Sequence, residues 1–157
     1  MKIYLDMDGV LCDFWGKVYE FFPDFKIKEP KTEVLWEAIL SIPNFWEGLK
    51  PLPDYRKLVD LCIELVGKEN VYILSAGSRF DERAIPGKKK WLKHWLSDID
   101  ESKFNFVPRK FKKDFANSDS LLIDDFAKNV KDFIKSGGKA LLYTNYNDTK
   151  QQLKNLL

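Results

Sequence analysis

The sequence predicts an α/β protein built on a parallel sheet covered by helices on both faces. Two observations carry this. Five short apolar runs, each the length of a buried strand and bounded by turn residues, recur along the chain. Between most of them lie stretches whose apolar residues fall at helical spacing, and such alternation implies parallel strands joined by helical crossovers.

The first run opens "IYLDMDGVLCDF" (3–14) and is broken by Asp6, Asp8 and Gly9. Residues 15–50 depart from the alternation, with helical stretches around 15–22 and 32–41 and a dense aromatic set that includes Trp15, Tyr19, Phe22, Trp36, Phe45 and Trp46. This segment reads as a small helical cap, and the prolines of "KPLPD" (50–54) mark re-entry into the main fold. The expected division is a core of residues 1–14 and 51–157 with a cap of 15–50. After Asp54, a candidate helix cap, Leu58, Leu61, Cys62 and Leu65 share one helical face that Gly67 ends. "NVYILSAG" (70–77) is the second strand. A helix over 85–95 follows, with Pro86 near its start and Trp91, Leu92 and Trp95 as its stripe. "FNFV" (104–107) and "SLLIDD" (120–125) are the third and fourth strands. Ala127, Val130, Phe133 and Ile134 stripe a helix that Gly137 and Gly138 terminate. "KALLYTN" (139–145) is the fifth strand, and 150–157 forms a short final helix.

Composition narrows the class. With 45% hydrophobic and 32% charged residues the 157-residue chain has the profile of one soluble globular domain. A net charge of +2 is too small to signal a nucleic-acid partner. Cys12 and Cys62 lie in apolar settings outside any CxxC or Cys/His cluster, and His94 is the only histidine, which argues against structural zinc and for reduced core cysteines. The absence of a long apolar span and of a leader-like segment gives the expectation of a cytoplasmic protein with no membrane association.

Chemistry gathers at strand ends. In open parallel sheets, ligands bind beyond the carboxyl ends of the strands, near the point where strand order reverses. The first strand delivers Asp6 and Asp8, the second Ser75 and the small-residue turn Ala76-Gly77-Ser78, the fourth Asp124 and Asp125. Buried carboxylates need a cation or good partners. Hard oxygens without histidine or cysteine suit Mg²⁺, and Mg²⁺ suits phosphate. Other readings of the acids fit less well. An EF-hand loop wants acids at positions 1, 3 and 5 with glycine at 6, and a receiver domain has its acidic pair before the phosphorylated aspartate. Asp124-Asp125 alone reads as a helix cap, but with DxD upstream it reads as a ligand pair.

In order along the chain, "DMDGV" (6–10), Ser75 in "YILSAGS", a lysine between 88 and 113, and "LLIDD" (121–125) resemble the signature of haloacid dehalogenase-superfamily phosphatases. "DMDGVLCDF" (6–14), "NFWEGLKPLPDY" (44–55) and "KKKWLKHW" (88–95) more closely resemble the 5′(3′)-deoxyribonucleotidases. The resemblance covers roughly residues 2–130 and implies a Rossmann-like three-layer core. It implies that Asp6 is a nucleophile forming an aspartyl-phosphate and that Asp8 is the general acid/base. Mg²⁺ would sit on Asp6, the Asp8 backbone carbonyl, Asp124 and Asp125, with Ser75, Ala76 and Gly77 around the phosphate. Lys88 and Lys113 both fit the lysine position, with Lys110 and Lys112 as close rivals. Phe14, Phe45 and Trp46 are the expected base platform, competing with a role in the cap core. Ala76 departs from the family's frequent second hydroxyl, and the cap is short. The expected function is Mg²⁺-dependent hydrolysis of (deoxy)nucleoside monophosphates. The same chemistry on a sugar phosphate or a nucleic-acid terminal phosphate is the first alternative, and a non-catalytic phosphate-binding module the second. A small-molecule phosphomonoester is the expected partner, without stable nucleic acid; a homodimer is admitted.

Overall fold

The computed structural model describes residues 1–157. In chain order it contains β1 (Lys2–Leu5), α1 (Phe14–Phe21), α2 (Asp24–Ile27), α3 (Thr32–Leu40), α4 (Tyr55–Val66), β2 (Val71–Ser75), α5 (Ala84–Trp95), β3 (Phe104–Phe106), β4 (Ser120–Asp124), α6 (Ala127–Lys135), β5 (Lys139–Leu142) and α7 (Tyr146–Leu156). The five strands form one all-parallel sheet in the order β3-β2-β1-β4-β5. β1 is central, with Leu5 paired to Ile73 on one side and to Ile123 on the other. Strand order reverses beside β1, so the carboxyl ends of β1, β2 and β4 share the crevice where open sheets bind ligands.

Side chains alternate across the sheet. Ile3, Leu5, Val71, Ile73, Leu121 and Ile123 join a core of 28 buried residues on one face. Tyr4, Leu74 and Leu122 pack with Phe133 of α6 on the other. Both faces are therefore covered, which is why these strands read as continuous apolar runs. Each fully buried leucine or isoleucine among them contributes about 1.5–3 kcal/mol. The larger core also contains Val18, Ile39, Phe45 and Trp46 from the helical insert, so the insert and the sheet share one apolar interior.

Local signals account for most element ends. Asp13 Oδ1 accepts a hydrogen bond from Gly16 N and caps α1. Gly67, at φ +84°, ends α4. Asp54 precedes α4 but makes no side-chain cap, because its carboxylate pairs with Lys57 instead at 3.0 Å. The final helix begins at Tyr146 rather than at 150, since Asn145 accepts from Asp148 N at 2.9 Å and caps it earlier. Within the insert, the one-turn α2 was not anticipated; residues 41–49 are non-helical and bury Phe45, Trp46 and Leu49. No helix is long and apolar enough to cross a membrane.

Candidate active site

Asp6 follows β1 directly and is held in line by its N–H, which donates to Ile123 O at 3.0 Å. The chain then turns at once: Val10, Leu11 and Cys12 N–H groups all donate to Met7 O, and Gly9 takes φ +79°. A side chain at Gly9 would collide with the Asp125 carboxylate, so the turn can lie against β4 only with glycine there. The turn leaves Asp6 7% exposed and presents Asp8, with 31% of its side chain exposed, to the crevice.

Lys112, in the 3₁₀ segment Arg109–Phe115, points into the sheet end with 3% of its side chain exposed. Its Nζ lies 2.9 Å from Asp6 Oδ1 and 2.7 Å from Asp124 Oδ2. Asp124 also accepts from Asn129 Nδ2 at 3.0 Å and from Phe126 N at 2.9 Å. Oxygens of Asp6, Asp124 and Asp125 lie within 4.8 Å of one another. Burial, then repulsion from Asp124 and Asp8, raises Asp6 to about 6 despite the opposing pull of Lys112. Burial, then the charges of Asp6, Asp124 and Asp8, raises Asp125 to about 7. Burial pushes Lys112 down, but Asp6 and Asp124 outweigh it and its net direction is up. One ammonium against three carboxylates leaves a charge deficit that a divalent cation matches, and the hard oxygen donors suit Mg²⁺. The Asp8 carboxylate is not one of this trio.

Lys88, itself buried, forms a second pair with the partly exposed Asp8. Its Nζ, on α5, lies 3.0 Å from Asp8 Oδ2, 2.9 Å from Ser75 Oγ and 2.7 Å from Ala76 O. Cys12 Sγ donates to Asp8 Oδ1 at 3.4 Å, and burial, then the nearby Asp8 charge, pushes this thiol well above its ordinary value. The Asp8 carboxyl is thus gripped at both oxygens. Ser75 is fully buried and meets Lys88.

A cleft of about 260 Å³ opens over these groups, walled by Asp6, Asp8, Ala76, Lys112 and Asp125 together with Phe14, Trp15, Arg109 and Phe126. Gly77 is not part of its wall but packs against Ile85 of α5, where a Cβ would clash. Besides Gly77, three expectations are corrected here. Lys113 is exposed, and the 3₁₀ turn places Lys112 at the carboxylates instead. Phe45 is fully buried and Trp46 2% exposed, so neither offers a face to a base. Their rings pack on each other and on Phe14 inside the core.

Sequence reasoning missed Asn129, Cys12, Trp15, Arg109 and Phe126 as parts of the site. Asn129 had a visible signal: a polar residue beside the apolar stripe of α6, soon after an acidic pair. Trp15 stands out in the sequence only as one of the cap's many aromatic residues, yet it is half-buried at the cleft. The Arg109 guanidinium lies 4.5 Å from the Phe126 ring centroid, a cation–π contact formed only on folding.

Comparison with known proteins bears on the family and the fold. A family model described as "5' nucleotidase, deoxy (Pyrimidine), cytosolic type C protein" matches residues 1–154. No curated protein matches the chain. Among solved structures, a hydrolase from Streptococcus pneumoniae TIGR4 superposes with TM-score 0.55 at 14% identity, covering 98% of this chain and 97% of that one. A haloacid dehalogenase-family enzyme from Bacteroides thetaiotaomicron, solved as a magnesium complex, gives 0.59 at 16%, covering 98% of each chain. A haloacid dehalogenase-superfamily hydrolase from Ehrlichia chaffeensis gives 0.53 at 11%, covering 99% of this chain and 96% of that one. At these identities the structural likeness speaks for the fold.

Proposed function

The chain belongs to the cytosolic type C 5′-deoxynucleotidase family of phosphatases, and from that premise we propose that it hydrolyses (deoxy)nucleoside monophosphates with Mg²⁺, by way of a phosphoryl group carried on Asp6. The observation that carries this is the pairing of two carboxylates at one cleft with two different buried lysines: Asp6 with Lys112 and Asp8 with Lys88. The two acids, two residues apart, are thereby given separate surroundings, as a nucleophile and an acid/base require.

Asp6, with one oxygen held by Lys112, attacks phosphorus with the other; the bond to the leaving oxygen breaks, and that oxygen takes a proton from Asp8. A water then gives its proton to Asp8 and attacks the phosphorus, releasing inorganic phosphate and restoring the Asp6 carboxylate. Lys88 and Cys12 fix the Asp8 carboxyl so that it faces the cleft through both steps. Asp6, Asp124, Asp125 and the Asp8 carbonyl are the groups that would hold Mg²⁺, which supplies charge neutralisation for the transferring phosphoryl group. The solved Bacteroides enzyme with magnesium and inorganic phosphate supports this reading by its shared fold. Phe14, Trp15 and Phe126 replace Phe45 and Trp46 as the surfaces for sugar and base, with Arg109 at the rim. Two buried, unpaired cysteines support action in the reducing cytoplasm.

The test is phosphate release from a panel of deoxy- and ribonucleoside monophosphates and sugar phosphates, with Mg²⁺ and with EDTA. Metal-dependent activity highest on nucleotides is expected. Highest activity on sugar phosphates would replace the substrate class, and inactivity on all would leave a phosphate-binding module.

A further inference from the structure

Away from the cleft, one carboxylate is as buried as Asp6. Asp81, 2% exposed, lies in the loop between β2 and α5. Its Oδ1 accepts from Arg83 N at 3.0 Å and Arg83 Nε at 2.9 Å; its Oδ2 accepts from Arg83 Nη2 at 2.8 Å and Trp46 Nε1 at 2.9 Å. Arg83 continues outward and donates to Ile39 O and Ile42 O, each at 3.1 Å, at the carboxyl end of α3. Burial raises Asp81, but the hydrogen bonds from Arg83 and Trp46 outweigh it, so this carboxylate stays charged.

The same Trp46 ring meets the catalytic side of the fold. Lys88 Nζ lies 5.1 Å from its centroid. Any side chain at Gly87 would collide with Trp46 Cβ, so the indole is seated on the turn of α5 that carries Lys88. Lysine is a point charge on a flexible four-carbon stem. Placing its ammonium between Asp8, Ser75 and Ala76 O therefore needs a rigid wall, and Trp46 is that wall. A buried tryptophan takes a hydrogen-bond partner for its N–H, which sets the ring's orientation beyond what packing does, and here that partner is Asp81.

We propose that Asp81 is a positioning residue for the acid/base step: by fixing the Trp46 indole it holds Lys88, and through Lys88 it sets the orientation of Asp8. This rests on the phosphatase reading above, with Asp8 as proton donor. Neither Asp81 nor Trp46 lines the cleft, so neither acts on substrate directly.

The experiment separates misplacement of the acid from damage to binding or folding. Asp81→Asn and Trp46→Phe are compared with wild type on p-nitrophenyl phosphate, phenyl phosphate and a deoxynucleoside monophosphate, reading kcat/KM, which reports the steps up to transfer onto Asp6. The two aryl esters have nearly the same size but differ in how much their leaving oxygen needs a proton. Expected is a fall of about ten- to a hundredfold on phenyl phosphate and nucleotide, with p-nitrophenyl phosphate within a few-fold, because small displacements of a reacting group cost about that much. Trp46→Phe removes the N–H together with part of the indole and leaves Asp81 paired with Arg83, so it carries the test if Asp81→Asn melts early; a mere packing defect would lower all three substrates equally. Equal losses on all three substrates, no loss on any, or a loss confined to the nucleotide would each overturn the positioning role. A wild type inactive on all three would overturn the phosphatase reading and the positioning role with it.

Discussion

Replacing Lys112 by methionine keeps the shape of the side chain and deletes its charge. In the metal-free protein that ammonium is the cation between Asp6 and Asp124, at 2.9 and 2.7 Å, and all three side chains are less than a tenth exposed. Removing one partner of a buried pair leaves the other charge uncompensated, at a cost of about 3–5 kcal/mol. In a domain of this size, that lowers Tm by roughly 6–20 °C. Asp6 sits near 6 even with the lysine present, so it takes up a proton readily when the lysine is gone. Lys112→Met is therefore expected to lose most stability at pH 8 and clearly less at pH 5. Lys113→Met, at an exposed neighbour, is expected to stay within about 0.5 kcal/mol of wild type. The assay is urea denaturation in EDTA at both pH values. A loss below about 1 kcal/mol for Lys112→Met, or a loss independent of pH, would refute the buried-pair argument.

Other outcomes follow from the same site. Asp6 and Asp125 have folded values raised above the ordinary aspartate value, so the folded protein holds protons that the unfolded chain releases, and stability from these groups falls as pH rises through about 4 to 7. Asp125→Asn is accordingly expected to raise the Tm of metal-free protein at pH 8, to change it little at pH 5, and to abolish the rise in Tm that Mg²⁺ gives the wild type; thermal melts with EDTA and with Mg²⁺ read all three. Trp15→Ala is expected to lower kcat/KM for nucleotides roughly ten- to a hundredfold relative to p-nitrophenyl phosphate, through KM, as loss of a stacking surface does; an unchanged ratio would remove Trp15 from the substrate wall.

The sheet was legible because its strands are buried on both faces and must read as apolar runs, and because Asp6, Asp8, Asp124 and Asp125 have no place in such runs without a cation. What stayed illegible depends on angle. Lys112 and Lys113 differ by one residue, and only the phase of the 3₁₀ turn decides which points inward. Phe45 and Trp46 have the composition of a base platform, but the depth at which the insert packs against α5 is a tertiary property, and it buries them. Asp81, in "SRFDER", reads as an ordinary loop acid before a helix; its partner Trp46 lies 35 residues away in sequence. Asn145 was readable as a cap, and the start of α7 was missed only because the preceding strand was extended through it.

The most direct test of phosphoryl transfer through Asp6 uses Asp8→Asn with p-nitrophenyl phosphate, whose leaving group departs without a proton while the hydrolysis step lacks its base. Rapid quenching in acid, followed by peptide mapping, locates any phosphoryl group on the chain. The account predicts that phosphate accumulates on the peptide containing Asp6, requires Mg²⁺, and is absent when Asp6 is also changed to asparagine. Phosphate on another residue, or steady turnover by Asp6→Asn, would contradict it.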